Sequence, residues 1–488
     1  MNYKMIGRFL SQIIAIEAVF LLPALGISLG YGEDRAVTGF LYTFAIMAAL
    51  AGILYLLCRR AGKLFSAREG MVCTGVSWIV LSLLGALPFV FCGAIPHYVD
   101  AFFEIVSGFT TTGASVVAVP EELPRGILYW RSFSHWLGGM GVLVFLLAIA
   151  PTGGKDTGFT MHLLRAESPG PDVGKLVPKM KNTAMILYVI YVVMTVINLV
   201  FLLFGDMPFL EALCTAFGTA GTGGFGVYGD SLTSCSPYIQ WVTTVFMFLF
   251  GVNFSCYYLL LLRQIKAVFR DEELRVYLAI AIVSMVLIAL NIYDKASALY
   301  GTGSDAVRHA AFQVSSIMTT TGYTTADYDL WPALSKGLIL MLMVIGACAG
   351  STGGGFKVAR VLLIFKSLRR NTRQILNPNK VQLVRNNGRT VDEKVLSNTN
   401  AYLAAYVIII VLSYLLVSLD GHSVETTFSA VLCCFNNIGP GMDAVGPTCN
   451  FAHMSDLSKL VLSADMLAGR LEIFPVLLLL SRTTWKRR

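Results

Sequence analysis

SGFTTTGAS, residues 107–115, is a run of small and hydroxylated side chains set between apolar segments, and it recurs. Related turns read FGTAGTGGFG from Phe217, SIMTTTGYTT from Ser316 and FNNIGPGMD from Phe435. Stacked on one another, they place Gly113, Gly223, Gly322 and Gly439 in one column. Each turn follows an apolar segment (98–109, 209–218, 305–318 and 424–435) that is too short to cross a bilayer, which takes about 20 residues of helix. These segments read as re-entrant half-helices. Irregular backbone at membrane depth is tolerated only where it packs in protein or lines a watery cavity. One Thr/Gly turn between helices is ordinarily just a loop. Four copies in four matching hairpins imply four loops around one pathway.

Working outward, each turn sits in a unit of long apolar span, half-helix, turn and second long span. TAMILYVIYVVMTVINLVFLLF from Thr183 is the plainest such span. The predicted architecture is an all-α integral membrane protein with an N-terminal helical hairpin (residues 1–66) and four pseudo-repeats, at 67–155, 180–265, 272–370 and 396–488. That gives ten full spans and four half-helices, with both termini cytoplasmic. Lys4 and Arg8 precede the first apolar run, as in a secretory signal. The run is longer than a signal's apolar core of roughly 7–15 residues, so it reads as a retained span.

Composition points the same way. Of 488 residues, 56% are hydrophobic and 14% charged, with a mean hydropathy of +0.68, too apolar for an ordinary soluble core. The net charge of +8 does not indicate nucleic acid, because its location along the chain follows the positive-inside rule. Basic residues gather in every second connection: Arg59, Arg60, Lys63 and Arg68; Lys175, Lys179 and Lys181; Arg263, Lys266 and Arg270; Lys366, Arg369, Arg370 and Arg373; and Lys486 to Arg488. The opposite connections carry Glu33, Asp34, Glu121, Glu122, Asp206, Glu211, Asp327, Asp329 and Asp443, an acidic outer face that would concentrate cations. The ten cysteines include no CxxC pair. Cys235 and Cys449 lie in outer loops and read as two free thiols.

A pore for a small monovalent cation accounts for the turns. A dehydrated K⁺ needs oxygens to replace its water, and backbone carbonyls supply them as closely spaced dipoles. Glycine permits the torsions that aim successive carbonyls at one axis. A half-helix ending at the turn points roughly half a negative charge at the pore, and Thr110 to Thr112 and Thr319 to Thr321 pack behind the carbonyls. Below the third turn, Gly346 to Gly355 interrupts an apolar span with several glycines, each costing a helix about 1 kcal/mol relative to alanine. Gly346, Gly350, Gly353, Gly354 and Gly355 therefore form a candidate gate, weighed against close packing of small residues. Arg470, inside the last span, is a costly intramembrane charge that belongs in a cavity or bundle interior. It reads as a barrier in the ion path, the alternative being a structural pair with Glu472 or Asp465. Lys357 either belongs to the gate or snorkels to the cytoplasmic interface.

Other chemistries find little support. Gly221, Gly223 and Gly226 satisfy GxGxxG but lack the strand before and the soluble helix after that a dinucleotide site requires. Gly350 to Lys357 lacks the Gly-Lys-Ser/Thr ending of a phosphate loop. The six histidines show no ligand spacing and no HExxH or GxSxG is present, so an enzyme is not expected, and His135 beside WLGGMG reads as structural.

SGFTTTGAS, GTGGFG, TTTGY, NNIGPG, GACAGSTGGGFKVAR and MLAGRLEIFP together resemble the TrkH/KtrB superfamily of potassium uptake subunits over nearly the whole chain. The N-terminal hairpin places it nearer the TrkH side. The resemblance implies K⁺ bound by carbonyls just before each column glycine: Thr111 and Thr112, Gly221 and Thr222, Thr320 and Thr321, Asn437 and Ile438. It implies an intramembrane gating loop opposed by Arg470, a homodimer in a bacterial inner membrane, and a TrkA-like cytoplasmic ring that carries the nucleotide; no cofactor beyond K⁺ is implied for this chain. Gly113, where Na⁺-favouring plant relatives often carry Ser, argues for K⁺. Gly221 departs from the bulkier residue usual at its place.

Overall fold

The computed structural model describes residues 1–59, 67–141, 180–299 and 303–485. Arg60, Lys63, Lys175, Lys179 and Lys486 to Arg488, and the ends of the first two units at 60–66 and 142–155, lie outside the described residues. The N-terminal hairpin is α1 (Tyr3–Tyr31) and α2 (Asp34–Cys58), packed along their length. The first repeat contains α3 (Ala67–Gly85), α4 (Leu87–Phe91), the half-helix α5 (Tyr98–Phe109) and α6 (Arg125–Gly139). The second contains α7 (Met180–Leu203), the half-helix α8 (Phe209–Gly221), α9 (Pro237–Phe250), α10 (Phe254–Leu261) and α11 (Ile265–Arg270). The third has α12 (Glu272–Leu299), the half-helix α13 (Gly303–Met318), α14 (Ala333–Ile345) and α15 (Val358–Leu376). The fourth has α16 (Glu393–Val417), the half-helix α17 (Val424–Phe435), α18 (Asp456–Arg470), α19 (Phe474–Leu480) and α20 (Arg482–Trp485).

Six described helices are long and apolar enough to cross a membrane, and the α9–α10 pair joins them as a span bent by 88°. The second span of the third repeat breaks between α14 and α15, that of the fourth between α18 and α19, and α6 ends at Gly139. The break at Gly346 was announced by a run of glycines, whereas those in the second and fourth repeats rest on isolated residues such as Gly251 and Gly469.

The half-helices share one local design. Each carries an acid in its first turn, Asp100, Glu211, Asp305 and Glu425, which complements the positive helix terminus. Each acid is ion-paired: Asp100 with Lys459 at 2.6 Å, Glu211 with Arg125 at 2.7 Å, Asp305 with Arg308 at 2.7 Å and Glu425 with Lys336 at 3.3 Å. Other outer acids cap backbone: Glu33 accepts the amides of Arg125 and Gly126, and Glu121 that of Gly229. Asp329 accepts the Asp443 amide at 2.9 Å. Burial pushes the Asp329 carboxyl up to about 6, while the Ser423 and Thr426 hydroxyls hold Asp443 low. Much of the outer acidity is thus spent on structure. Cys235 and Cys449 are free thiols.

One small sheet is described, an antiparallel hairpin of β1 (Arg385–Asn386) and β2 (Arg389–Thr390). Its Asn387-Gly388 turn has positive φ at both residues, 49° and 75°, as a two-residue hairpin turn demands. Asn387 ties it to the start of α12, accepting from the Glu272 amide at 2.8 Å and donating to Asp271 at 2.8 Å.

Candidate functional site

Each half-helix ends in the same backbone motif. Thr111, Thr222, Thr320 and Asn437 lie in the left-handed region, with φ between 54° and 58°. The next residue in each turn returns its N–H five residues back: Thr112 to Ser107, Gly223 to Gly218, Thr321 to Ser316 and Ile438 to Cys433, at 2.8–2.9 Å. This six-to-one bond satisfies a terminal carbonyl. A second positive φ follows at Gly113, Gly224, Gly322 and Gly439. The column glycine of the second loop is therefore Gly224 rather than Gly223, a correction of one residue. Gly223 itself corresponds to Thr112, Thr222 to Thr111, and Gly221 to Thr110 at the helix end. Sequence alone could not choose between the adjacent glycines; only the hydrogen-bond register separates them.

The four turns close on one another in chain order. A Cβ built on Gly113 would collide with the Gly223 carbonyl oxygen, one on Gly224 with that of Thr321, one on Gly322 with that of Ile438, and one on Gly439 with that of Thr112, the last at 2.8 Å. Each column glycine thus abuts the carbonyl of the residue before the next column glycine, around a closed ring of four. Thr110, Thr111, Thr112, Thr319, Thr320, Thr321 and Asn437 are fully buried. Hydroxyl pairs Thr110–Thr112 at 2.8 Å and Thr319–Thr321 at 2.7 Å brace two of the loops, and the Asn437 amide donates to Thr112 Oγ1 at 3.0 Å, joining the fourth loop to the first. A cavity of about 110 Å³ opens above the ring, bordered by all four column glycines and by Arg131.

Beneath the ring lie the helix breaks. The loop from Gly346 to Gly355 is pinned on several sides: Ala349 N–H to the buried Glu273 carboxylate at 2.6 Å, Cys348 N–H to Gly251 O at 3.1 Å, and Gly354 N–H to Thr320 Oγ1 at 2.6 Å. Gly346, Gly350 and Gly355 have φ of 72–77°, whereas Gly353 and Gly354 are required by proximity. Their Cβ atoms would stand 2.8 Å from Thr319 O and 2.6 Å from Asn436 O. Lys357 is buried, with Nζ donating to Gly353 O, so it does not snorkel. Arg470 donates from Nη1 to Thr352 O at 2.8 Å and from Nη2 to Gly139 O at 2.7 Å and to Gly138 O. One guanidinium thereby links the fourth-repeat break to the C-terminal end of α6 and to the glycine loop. The two carboxylates weighed as its structural partners are engaged elsewhere, Glu472 with Arg360 and Asp465 with the Ser413 hydroxyl at 2.6 Å.

A model of the family described as TrkH, cation transport protein, matches residues 37–486. The chain belongs to the TrkH family. It is 36% identical to the Trk system potassium uptake protein TrkH of Salmonella typhimurium and 34% identical to that of Escherichia coli K12, with both chains covered in full. The crystal structure of the potassium transporter TrkH from Vibrio parahaemolyticus is similar over the full length of both chains, at 31% identity and a TM-score of 0.88. Membership of the TrkH family makes this a multi-pass membrane protein of a transport class rather than an enzyme.

Within this TrkH-family chain, several residues around the site carry no motif signal. Arg360 pairs with Glu472 and lies 3.9 Å over the Tyr402 ring, holding the start of α15 against the break after Arg470. Glu472 and Ile473 have φ of 62° and 64°, so the pair stabilises a strained hinge. Glu472→Ala is expected to lower the thermal midpoint of the detergent-solubilised protein by several degrees, because it strands the largely buried Arg360 guanidinium in a part-buried pair, at a cost of up to about 3 kcal/mol. A midpoint unchanged from the parent would remove this role. His135, fully buried, stacks on Phe225 at 4.1 Å and backs Gly223.

Proposed function

We propose that this chain is the conducting subunit of a bacterial potassium uptake system. K⁺ passes through the ring of backbone carbonyls from Thr111, Thr112, Thr222, Gly223, Thr320, Thr321, Asn437 and Ile438. The observation that carries this reading is the closed fourfold contact of column glycines with neighbouring carbonyls, made by four turns of different sequence with one set of dihedral angles. Carbonyl rings suit a dehydrated monovalent cation, and the potassium uptake named for the full-length relatives supports K⁺ as that ion. The loop Gly346 to Gly355, with Lys357, acts as the gate, and Arg470 as an electrostatic barrier beneath the ring. Also part of the proposal are an inner-membrane location with both termini cytoplasmic, a homodimer, and a TrkA-like cytoplasmic ring that binds the regulatory nucleotide. The name Trk system, shared by the relatives, supports a second component.

The test is growth at low external K⁺, with radiolabelled Rb⁺ uptake, in a bacterial strain stripped of its own K⁺ uptake systems. Expression of this chain together with a TrkA-type subunit is expected to restore both. Membrane-inserted protein that leaves growth and Rb⁺ uptake at background, with and without the partner, would overturn the proposal.

A further inference from the structure

Behind the first loop lies a buried ion pair that the pore architecture alone does not call for. Glu104 on α5 and Arg131 on α6 are buried almost completely, with Nε to Oε1 at 2.5 Å. Glu104 also accepts from Ser115 Oγ at 3.0 Å and from the Val116 amide at 2.9 Å, in the segment leaving the first turn. Arg131 donates to Ser115 Oγ at 2.9 Å and reaches into the second repeat to Gly226 O at 2.9 Å. Its guanidinium lies 3.8 Å over the Phe225 ring and borders the same cavity as the four column glycines.

Fold stability does not explain the charges. A buried pair is on balance often no more stabilising than apolar residues of its volume, and the other repeats carry no acid at the matching position. The residue nine positions before the column glycine is Glu104 in the first repeat, and Thr215, Gln313 and Ala430 in the others. Gln313 anchors its own exit segment with a neutral amide, Nε2 to Ala326 O at 3.1 Å. Holding the segment therefore needs no charge. Among the described residues, what only the first repeat has is a fixed cation beside the outer cavity and a carboxylate against it.

We infer that Arg131 and Glu104 form a balanced charge pair that sets cation affinity at the outer end of the filter, Glu104 cancelling the repulsion that Arg131 would otherwise exert on an arriving ion. The inference rests on the filter reading above. In a partly desolvated site a single uncompensated charge changes local ion occupancy severalfold, so the two single neutralisations must act with opposite sign.

The experiment measures KM and Vmax for Rb⁺ uptake in the K⁺-uptake-deficient strain, with the regulatory subunit present, for E104Q, R131Q and E104Q/R131Q at matched membrane abundance. E104Q is expected to raise KM about threefold or more and R131Q to lower it, at low ionic strength most of all. The double variant should return to within about twofold of the parent. Single variants that both raise KM, or a double variant as impaired as the worse single, would make the pair a structural brace and overturn the inference. Should E104Q fail to reach the membrane, adding E104Q to R131Q must still raise KM back toward the parent value; a lower or unchanged value overturns the inference equally. Failure of the filter reading is separable, because it shows in K⁺ over Na⁺ discrimination on substitution of Gly113, whatever the order of these KM values.

Discussion

Replacing Arg470 with alanine is expected to raise Rb⁺ uptake roughly tenfold at matched membrane abundance. Two effects of the guanidinium add. It is a fixed positive charge below the ring, and a unit charge some 8 Å from an ion costs about 2 kcal/mol at an effective dielectric near 20. It also ties together Thr352 of the glycine loop and the α6 terminus at Gly138 and Gly139, so its removal both lowers a barrier and frees a loop. Arg470→Lys separates the two: it keeps the charge but loses the planar fork that holds several carbonyls at once. Lysine should therefore give an intermediate rate. Normal expression of Arg470→Ala with an unaltered uptake rate would dispose of the barrier.

Gly113→Ser is expected to lower discrimination of K⁺ against Na⁺ by about an order of magnitude, read as the Na⁺ concentration that halves Rb⁺ uptake. Its φ of 85° is a region where a side chain costs about 1–3 kcal/mol, and the new Cβ would be driven into the Gly223 carbonyl. Either the first turn relaxes or that carbonyl swings away; each widens one quadrant of the ring. Unchanged selectivity in a protein that still transports would refute the filter assignment at this position.

The sequence made the repeated part legible. Four Thr/Gly turns after four short apolar segments were enough to predict half-helices, and the structure ends them at Phe109, Gly221, Met318 and Phe435. The break at Gly346 was equally open to reading, since five glycines in ten residues cannot sustain a helix. The second loop misled because Gly223 and Gly224 are adjacent and composition cannot say which one turns. The breaks after Phe250 and Arg470 gave less sign still. They arise where a neighbouring turn presses against Gly251 or Gly469, a tertiary cause with no local pattern. Glu104, Arg131 and Arg360 are single charges among mostly apolar neighbours and Glu273 is one of several in a charged run, and only folding reveals that they face partners.

The ion pairs at the outer ends of the four half-helices have a mechanical side. Three of the four half-helices are clamped at their start by a salt bridge to a different helix and all four are locked at their finish by the six-to-one backbone bond, so this upper storey offers few joints among the described residues. Among the described residues the lower storey has three, one in the second span of each of the last three repeats. Under the proposed gating, deformation imposed by a partner or by the surrounding lipid would be absorbed at these breaks, leaving the spacing of the carbonyls undisturbed while the passage beneath them opens and shuts.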